Sequence, residues 1–375
     1  MAAAAVVGLL SLLVWAAPAA GQARRPLGTK AVECVTAYRK AVEDYRARRT
    51  EDAVAALAAL DHEQLKIVVE SLMAVNGGVR RDRLPTDGLL TWNRQTLLAA
   101  AMLLVELSIA EVRAKRSADF AFHATLAANV FVIADQPEPG GNTPGTTGRR
   151  SALAIGLLLL NGGGTDLAYP YLTRAARRFP DAAPLQVAIG MIDQFQSTAI
   201  EPATNLSHLG AFAGARDRRN TQLRDAATHF ERAMALDPRL VEARVRLAHV
   251  RILQHDEARA AALLEAALAQ QPAPRWTYLT QLMLGGIRER AGQSHAAIRF
   301  YADAVHSCPD GQSAYLAMSH AMYAAGDREA AATVLDRLFE RALTPDSDDP
   351  WWDYQLGDWE EANQIFQALR AEAQR

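Results

Sequence analysis

The chain has 375 residues, half of them hydrophobic, with 7% aromatics and a formal net charge of −2. Near-neutrality excludes a global field that would hold the protein on nucleic acid or an anionic membrane. An apolar fraction dominated by Ala and Leu, with few β-branched runs, favours helices over sheets.

The first stretch reads as an export signal. Residues 2–17 are apolar apart from Gly8, Ser11 and Trp15, and small residues follow from Ala16 to Ala23. This is an h-region followed by A-x-A-type cleavage sites, with cuts expected after Ala19 or Ala23. The missing upstream Lys or Arg leaves a retained anchor as the alternative, although sixteen residues are short for a bilayer span. No second long apolar run is evident, so the mature chain is expected to be soluble without stable membrane insertion, periplasmic or secreted. Residues 1–23 are assigned to the signal and 24–136 to an N-terminal helical region. That region contains a helix over 30–48 carrying Val32, Val35, Val42 and Tyr45 at helical spacing. A second helix is capped by Thr50 and runs through Leu57 and Leu60. A third covers 63–74, and two long helices cover 89–114 and 117–134. Residues 137–148 are turn-rich and read as a linker. Cys34 and Cys308 lack a CxxC partner and read as small apolar side chains packed in helices, with a disulfide as the alternative.

From 149 to 375 the sequence repeats itself. Ala, a large apolar residue four later, Ala seven later and Pro twelve later occur at Ala168-Leu172-Ala175-Pro180 and at Ala226-Phe230-Ala233-Pro238. They recur at Ala260-Leu264-Ala267-Pro272 and Ala297-Tyr301-Ala304-Pro309. The third set follows the second by 34 residues and the fourth follows by 37. Residues four and seven apart share one helix face. Alanines there admit a neighbouring helix closely, the bulky residue fills the gap beside them, and proline ends the helix. Twelve residues before three of these alanines lie Ile155-Gly156, Leu247-Ala248 and Leu284-Gly285, and Ile189-Gly190 matches them in a repeat displaced by an insertion over 196–220. A fifth unit covers 312–343, and Ala362, Phe366 and Leu369 repeat the second-helix spacing once more as a half-repeat cap. These residues resemble the tetratricopeptide repeat, with its 34-residue period. The chain resembles exported bacterial proteins of that family. The resemblance implies an all-α, right-handed helical-hairpin solenoid of about five repeats.

Chemical motifs are sparse, and no catalytic, cofactor-binding or metal-ligating residue is assigned. Gly162-Gly163-Gly164 reads as a turn between paired helices, since no Lys-Ser/Thr completes a phosphate loop. His62-Glu63 starts an HExxH-like string that fails at Lys66. The acidic run ending in Asp349 reads as a cap for a short helix starting near Pro350.

The resemblance places partner binding on the concave face lined by the first helix of each pair. Its fifth position gives Leu153, Val187, Val245, Leu282 and Leu316, and its ninth gives Leu157, Met191, His249, Gly286 and His320. The Lys and Asn that grip a C-terminal carboxylate in some family members are missing there. The groove is therefore expected to take an apolar helix or strand of a protein or peptide partner, or to be filled by the N-terminal helices or the insertion. Trp351, Trp352, Tyr354 and Trp359 form an aromatic cluster, read as a cap on the last repeat and as a binding hot spot. The leading expectation is a non-catalytic scaffold or adaptor, binding through Val245, His249, Leu282, Leu316, His320, Trp351, Trp352 and Tyr354. A glycan- or peptide-binding protein using the Trp-rich end is the alternative. A solenoid cell-wall lytic enzyme needing Glu63 or Glu70 ranks below both.

Overall fold

Apolar side chains recurring at i, i+4 and i+7 become the buried stripes of helices. The computed structural model describes residues 29–76, 92–135, 146–204, 213–340, 349–356 and 359–375, and among these it contains seventeen α-helices and no strand. They are α1 (Thr29–Arg46), α2 (Thr50–Ala58), α3 (His62–Asn76), α4 (Arg94–Arg113), α5 (Ser117–Ala134) and α6 (Thr146–Gly163). Then come α7 (Thr165–Arg178), α8 (Ala183–Thr204), α9 (Ala213–Leu236), α10 (Val241–Leu253), α11 (Glu257–Leu268) and α12 (Pro274–Arg290). The last five are α13 (Ser294–Ser307), α14 (Gln312–Ala324), α15 (Arg328–Glu340), α16 (Pro350–Leu356) and α17 (Trp359–Ala373). The expected export signal lies outside the described residues.

The chain divides into two compact units, one formed by residues up to Ala175 together with Trp359–Arg375, the other by Ala176–Asp358. The division falls inside α7. Most of the turn-rich 137–148 segment lies outside the described residues, and its last three residues already belong to α6.

In the first unit α4 packs against α1, α2, α5 and α17. The Tyr38 hydroxyl donates to the Ala100 carbonyl at 2.8 Å, and the Trp92 ring stacks on Tyr38. Contrary to the sequence reading, α4 is long and apolar enough to cross a membrane; 67% of its most apolar stretch is buried in the protein, which accounts for the hydropathy as core packing. Thr50 is the first helical residue of α2 rather than its cap; Arg49 holds the cap position without a side-chain capping bond to the helix.

The C-terminal helix departs from expectation. Ala362 and Phe366 are buried as the repeat spacing required, but α17 lies against α4 and α6 in the first unit. Arg370 Nε donates to Glu106 Oε1 at 2.6 Å, and Arg94 pairs with Glu372 at 2.7 Å. Spacing decides which face of a helix is apolar. It does not decide which surface covers that face.

Five helical hairpins follow one another from α6 to α15, the first helix of each here termed the A helix and the second the B helix. Every Ala of the four repeat sets is buried on a B helix: Ala168 and Ala175 on α7, Ala226 and Ala233 on α9, Ala260 and Ala267 on α11, Ala297 and Ala304 on α13. Leu172, Phe230, Leu264 and Tyr301 are buried with them. Within single hairpins the A-helix glycine accommodates that bulky residue: Gly156 lies against Leu172, Gly190 against Phe230 and Gly285 against Tyr301. A methyl group on Gly285 would overlap the Tyr301 ring, whose hydroxyl is held by Glu289 at 2.7 Å. Gly285→Ala is therefore expected to destabilise the second unit by about 2 kcal/mol, overpacking outweighing the helix-propensity gain of about 1 kcal/mol. A urea-midpoint comparison checks the sign.

The insertion is largely two helical extensions. α8 continues to Thr204 and α9 begins at Ala213, so only 205–212, with Leu206, Leu209, Ala211 and Phe212, fall outside the described residues.

A-to-B turns need one left-handed residue. Gly164, Gly292 and Gly326 supply it at φ of 78°, 72° and 91°. His255 occupies the equivalent place at φ 63°. His255→Gly is expected to stabilise by up to about 1 kcal/mol, because the left-handed penalty of about 1–2 kcal/mol exceeds glycine's entropic loss. Thermal melts of the two proteins check it.

Candidate partner-binding face of the repeats

The A helices of the second unit, α8, α10, α12 and α14, bear the expected groove positions. Val187, Met191, Val245 and His249 are buried, Leu282 and Gly286 are half-buried, and Leu316 is 52% exposed. In the first unit Leu153 and Leu157 of α6 are also buried, and α6 packs against α5 and α17.

In the second unit Val187 and Met191 are buried against α9 and α10, while α16 covers Val245 and His249. The short helix packs against α12. At its start, the buried carboxylate of Asp349 accepts four hydrogen bonds. Oδ1 takes the Trp351 backbone N–H at 2.9 Å and the Tyr278 hydroxyl at 3.1 Å; Oδ2 takes the Ser313 backbone N–H and hydroxyl, each at 2.7 Å. One side chain thus caps α16, as the acidic run suggested, and also the N-terminus of α14. Tyr278 accepts from the Ala314 N–H at 3.2 Å. Burial, reinforced by the Asp349 charge, holds its phenol well above the usual tyrosine range, so it stays a donor.

Further along, Trp351 packs against the core formed by Val245, Tyr278 and Leu279. Tyr354 is buried, its ring stacked on Trp351 with centroids 5.8 Å apart and its face under the Arg246 guanidinium at 4.5 Å. Arg246 is itself buried and donates to Glu242 at 2.7 Å. The Tyr354 hydroxyl lies 3.0 Å from His249 Nδ1 and accepts from Gln194 Nε2 at 3.0 Å, while Gln194 Nε2 is also 2.8 Å from His249 Nδ1. Burial first, then the Arg246 and Arg290 cations, push His249 down to about 4. The ring is neutral and its Nδ1 is the acceptor. Burial pushes the Tyr354 phenol up to about 12.

Of the expected partner-binding residues, Val245, His249, Trp351 and Tyr354 are joined in this internal contact. Trp352, by contrast, is 60% exposed. The side chain of Trp359 lies outside the described residues. On α14, Leu316, His320 and Tyr323 stand at i, i+4 and i+7, with Leu316 and Tyr323 52% and 58% exposed and the His320 side chain 74% exposed. His320 Nδ1 meets Glu289 at 2.6 Å. Gln194 and Tyr323 were not found by the sequence reading. Gln194 lies three residues past the ninth groove position, a helical neighbour that a wider register would have included.

Beside this face, Asp193 on α8 is buried with its Oδ2 unpaired and His229 Nε2 3.9 Å away. Burial, with the nearby Asp225, pushes its carboxyl up to about 7. Glu63 and Glu70 on α3 are exposed, not the buried acid a lytic enzyme requires. Among the described residues no three His, Cys, Asp or Glu side chains gather into a metal-sized group.

Hairpins of this length, with small residues on the facing stripes and left-handed turns, define a helical-repeat scaffold of the protein-interaction class. Residues 218–282 match the family model of the tetratricopeptide repeat, so this stretch carries tetratricopeptide repeats. Solved structures with similar folds include a crystal structure of MamA protein (17% identity, TM-score 0.38, covering 52% of this chain and 98% of that one). MamA 41-end from Desulfovibrio magneticus RS-1 gives 22% identity and TM-score 0.39, covering 53% and 97%. A human IFIT1 dimer with m7Gppp-AAAA gives 15% and 0.44, covering 79% and 68%. At these TM-scores the likenesses carry no argument about function. No curated protein matches the chain.

Proposed function

We propose that the protein is a non-catalytic adaptor of the cell envelope, exported by its N-terminal segment, which binds a protein partner along the A-helix row of its second unit. The observation that carries this is the exposed stripe Leu316–His320–Tyr323 on α14, with Leu316 and His320 at groove positions. An apolar residue, an aromatic and a polar group on one helix face suit a partner helix. A phosphate backbone would instead call for a series of Arg or Lys. The glycan-binding alternative is disfavoured because Trp351 and Tyr354 turn inward, leaving Trp352 as the exposed member of that trio.

The test is affinity capture from the native envelope with wild type and a Leu316→Glu/Tyr323→Glu variant. Both positions are exposed, so melting should be unchanged. A specific protein recovered with wild type should fall at least about tenfold with the variant, as for loss of interface anchors. Equal recovery overturns the assignment of the face. A reporter active only outside the cytoplasm, fused after residue 30, tests export; an inactive fusion removes the envelope location.

A further inference from the structure

The α16 segment is seven residues long, too short to be stably helical by itself in water. Its conformation is supplied by the row beneath it. Three side chains seat it: Asp349 at one end, Trp351, and Tyr354 five residues on, reaching α8, α10, α12 and α14 through the contacts above. This is how a short helical ligand engages a groove, with a few anchors and an outward residue, here Trp352. The fit is also incomplete. Gln194 spends its Nε2 on both His249 and Tyr354, while its Oε1 is buried without a hydrogen-bond partner. A buried acceptor left unmet is a standing penalty that a better ligand would relieve.

We propose that α16 is a resident ligand of the A-helix row, exchangeable for a short helix of a partner protein that presents a carboxylate and, five residues on, an aromatic hydroxyl. The inference rests on the reading of that row as the partner-binding face. It adds the chemistry of the partner and a mode of regulation. Because α16 is tethered, it competes at high effective concentration, and an incoming segment wins by engaging a second point at the same time. The open stripe on α14 is that second point. A hydrogen-bond donor placed to meet Gln194 Oε1 would favour the partner further.

Two measurements on the full chain test this. The first is hydrogen exchange of the native protein in sub-denaturing urea. The amides of residues 354–356 are expected to exchange at least 100-fold faster than the cores of α10 and α12 and to be insensitive to urea, the sign of local opening. Equal rates with equal urea dependence mean that α16 leaves only on unfolding, and the proposal fails. The second is fluorescence polarisation with a labelled peptide of residues 347–358. It is expected to bind a Trp351→Ala/Tyr354→Ala protein at least tenfold more tightly than wild type, and a Tyr354→Phe peptide should lose about tenfold. A variant that melts cooperatively but binds the peptide no better than wild type overturns the exchange. If the peptide exchanges while the α14 variant keeps its partner, the α14 assignment falls and the resident-ligand inference stands; the opposite pattern removes the exchange and leaves the adaptor.

Discussion

Replacing Asp349 by Ala should lower the stability of the second unit by about 4 kcal/mol, with a fall in its melting temperature of roughly 10 °C. The carboxylate is buried and accepts from the Trp351 and Ser313 N–H groups and from the Tyr278 and Ser313 hydroxyls. Net contributions of about 1.5–3 kcal/mol for each bond to a charged acceptor do not add fully when the donors share one carboxylate. Two of those donors are orphan amides at helix N-termini, where a negative charge also meets the favourable end of the helix dipole. Asp349→Asn keeps one acceptor oxygen and should lose about half as much. Urea titration of the three proteins measures the series, and a loss below about 1 kcal/mol for the Ala variant would contradict the double-cap geometry.

Acid should act on the α16 seat through His249. Its folded value lies below the unfolded one, so its contribution is fully present above about pH 6.5 and is lost as pH falls towards 4. The full effect is about 3 kcal/mol. Protonation turns Nδ1 into a donor facing the Gln194 N–H, with Arg246 and Arg290 already nearby. Asp193 works with the opposite sign. Its folded value is raised to about 7, so stability is lost as pH rises from the unfolded value towards 7. Burial pushes His229 beside it below the usual histidine range. The two slopes oppose each other in wild type and separate in variants. Between pH 7.5 and 4.5, Asp193→Asn should lose about 3 kcal/mol, whereas His249→Gln should show no acid loss from this site. Urea midpoints at both pH values check this, and identical pH profiles in the two variants would reject the assignment.

The hairpins were legible because their determinants are local. Ala297, Tyr301 and Ala304 must share a face at spacings of four and seven, and Gly285 must be small for Tyr301 to lie against it. The cap role of Asp349 on α16 was legible for the same reason, being a carboxylate one residue before a helix-starting proline. Its second role, capping α14, was not, since Ser313 is 36 residues away. The insertion was legible as a displacement of the second helix, but its form was not: 196–204 and 213–220 belong to the helices on either side.

The amino-acid sequence by itself determined that this protein is a row of helical hairpins, where each chain segment turns, and which side chains form the buried stripes. Those properties follow from periodicity and backbone sterics within one or two turns. Only the tertiary structure decided what the stripes meet: that Tyr354 fills a place between Gln194 and His249, that α17 joins α4 and α6, and that Leu316 stays uncovered. An apolar face requires cover without specifying its source. The choice is made by competition among distant segments for the same surface.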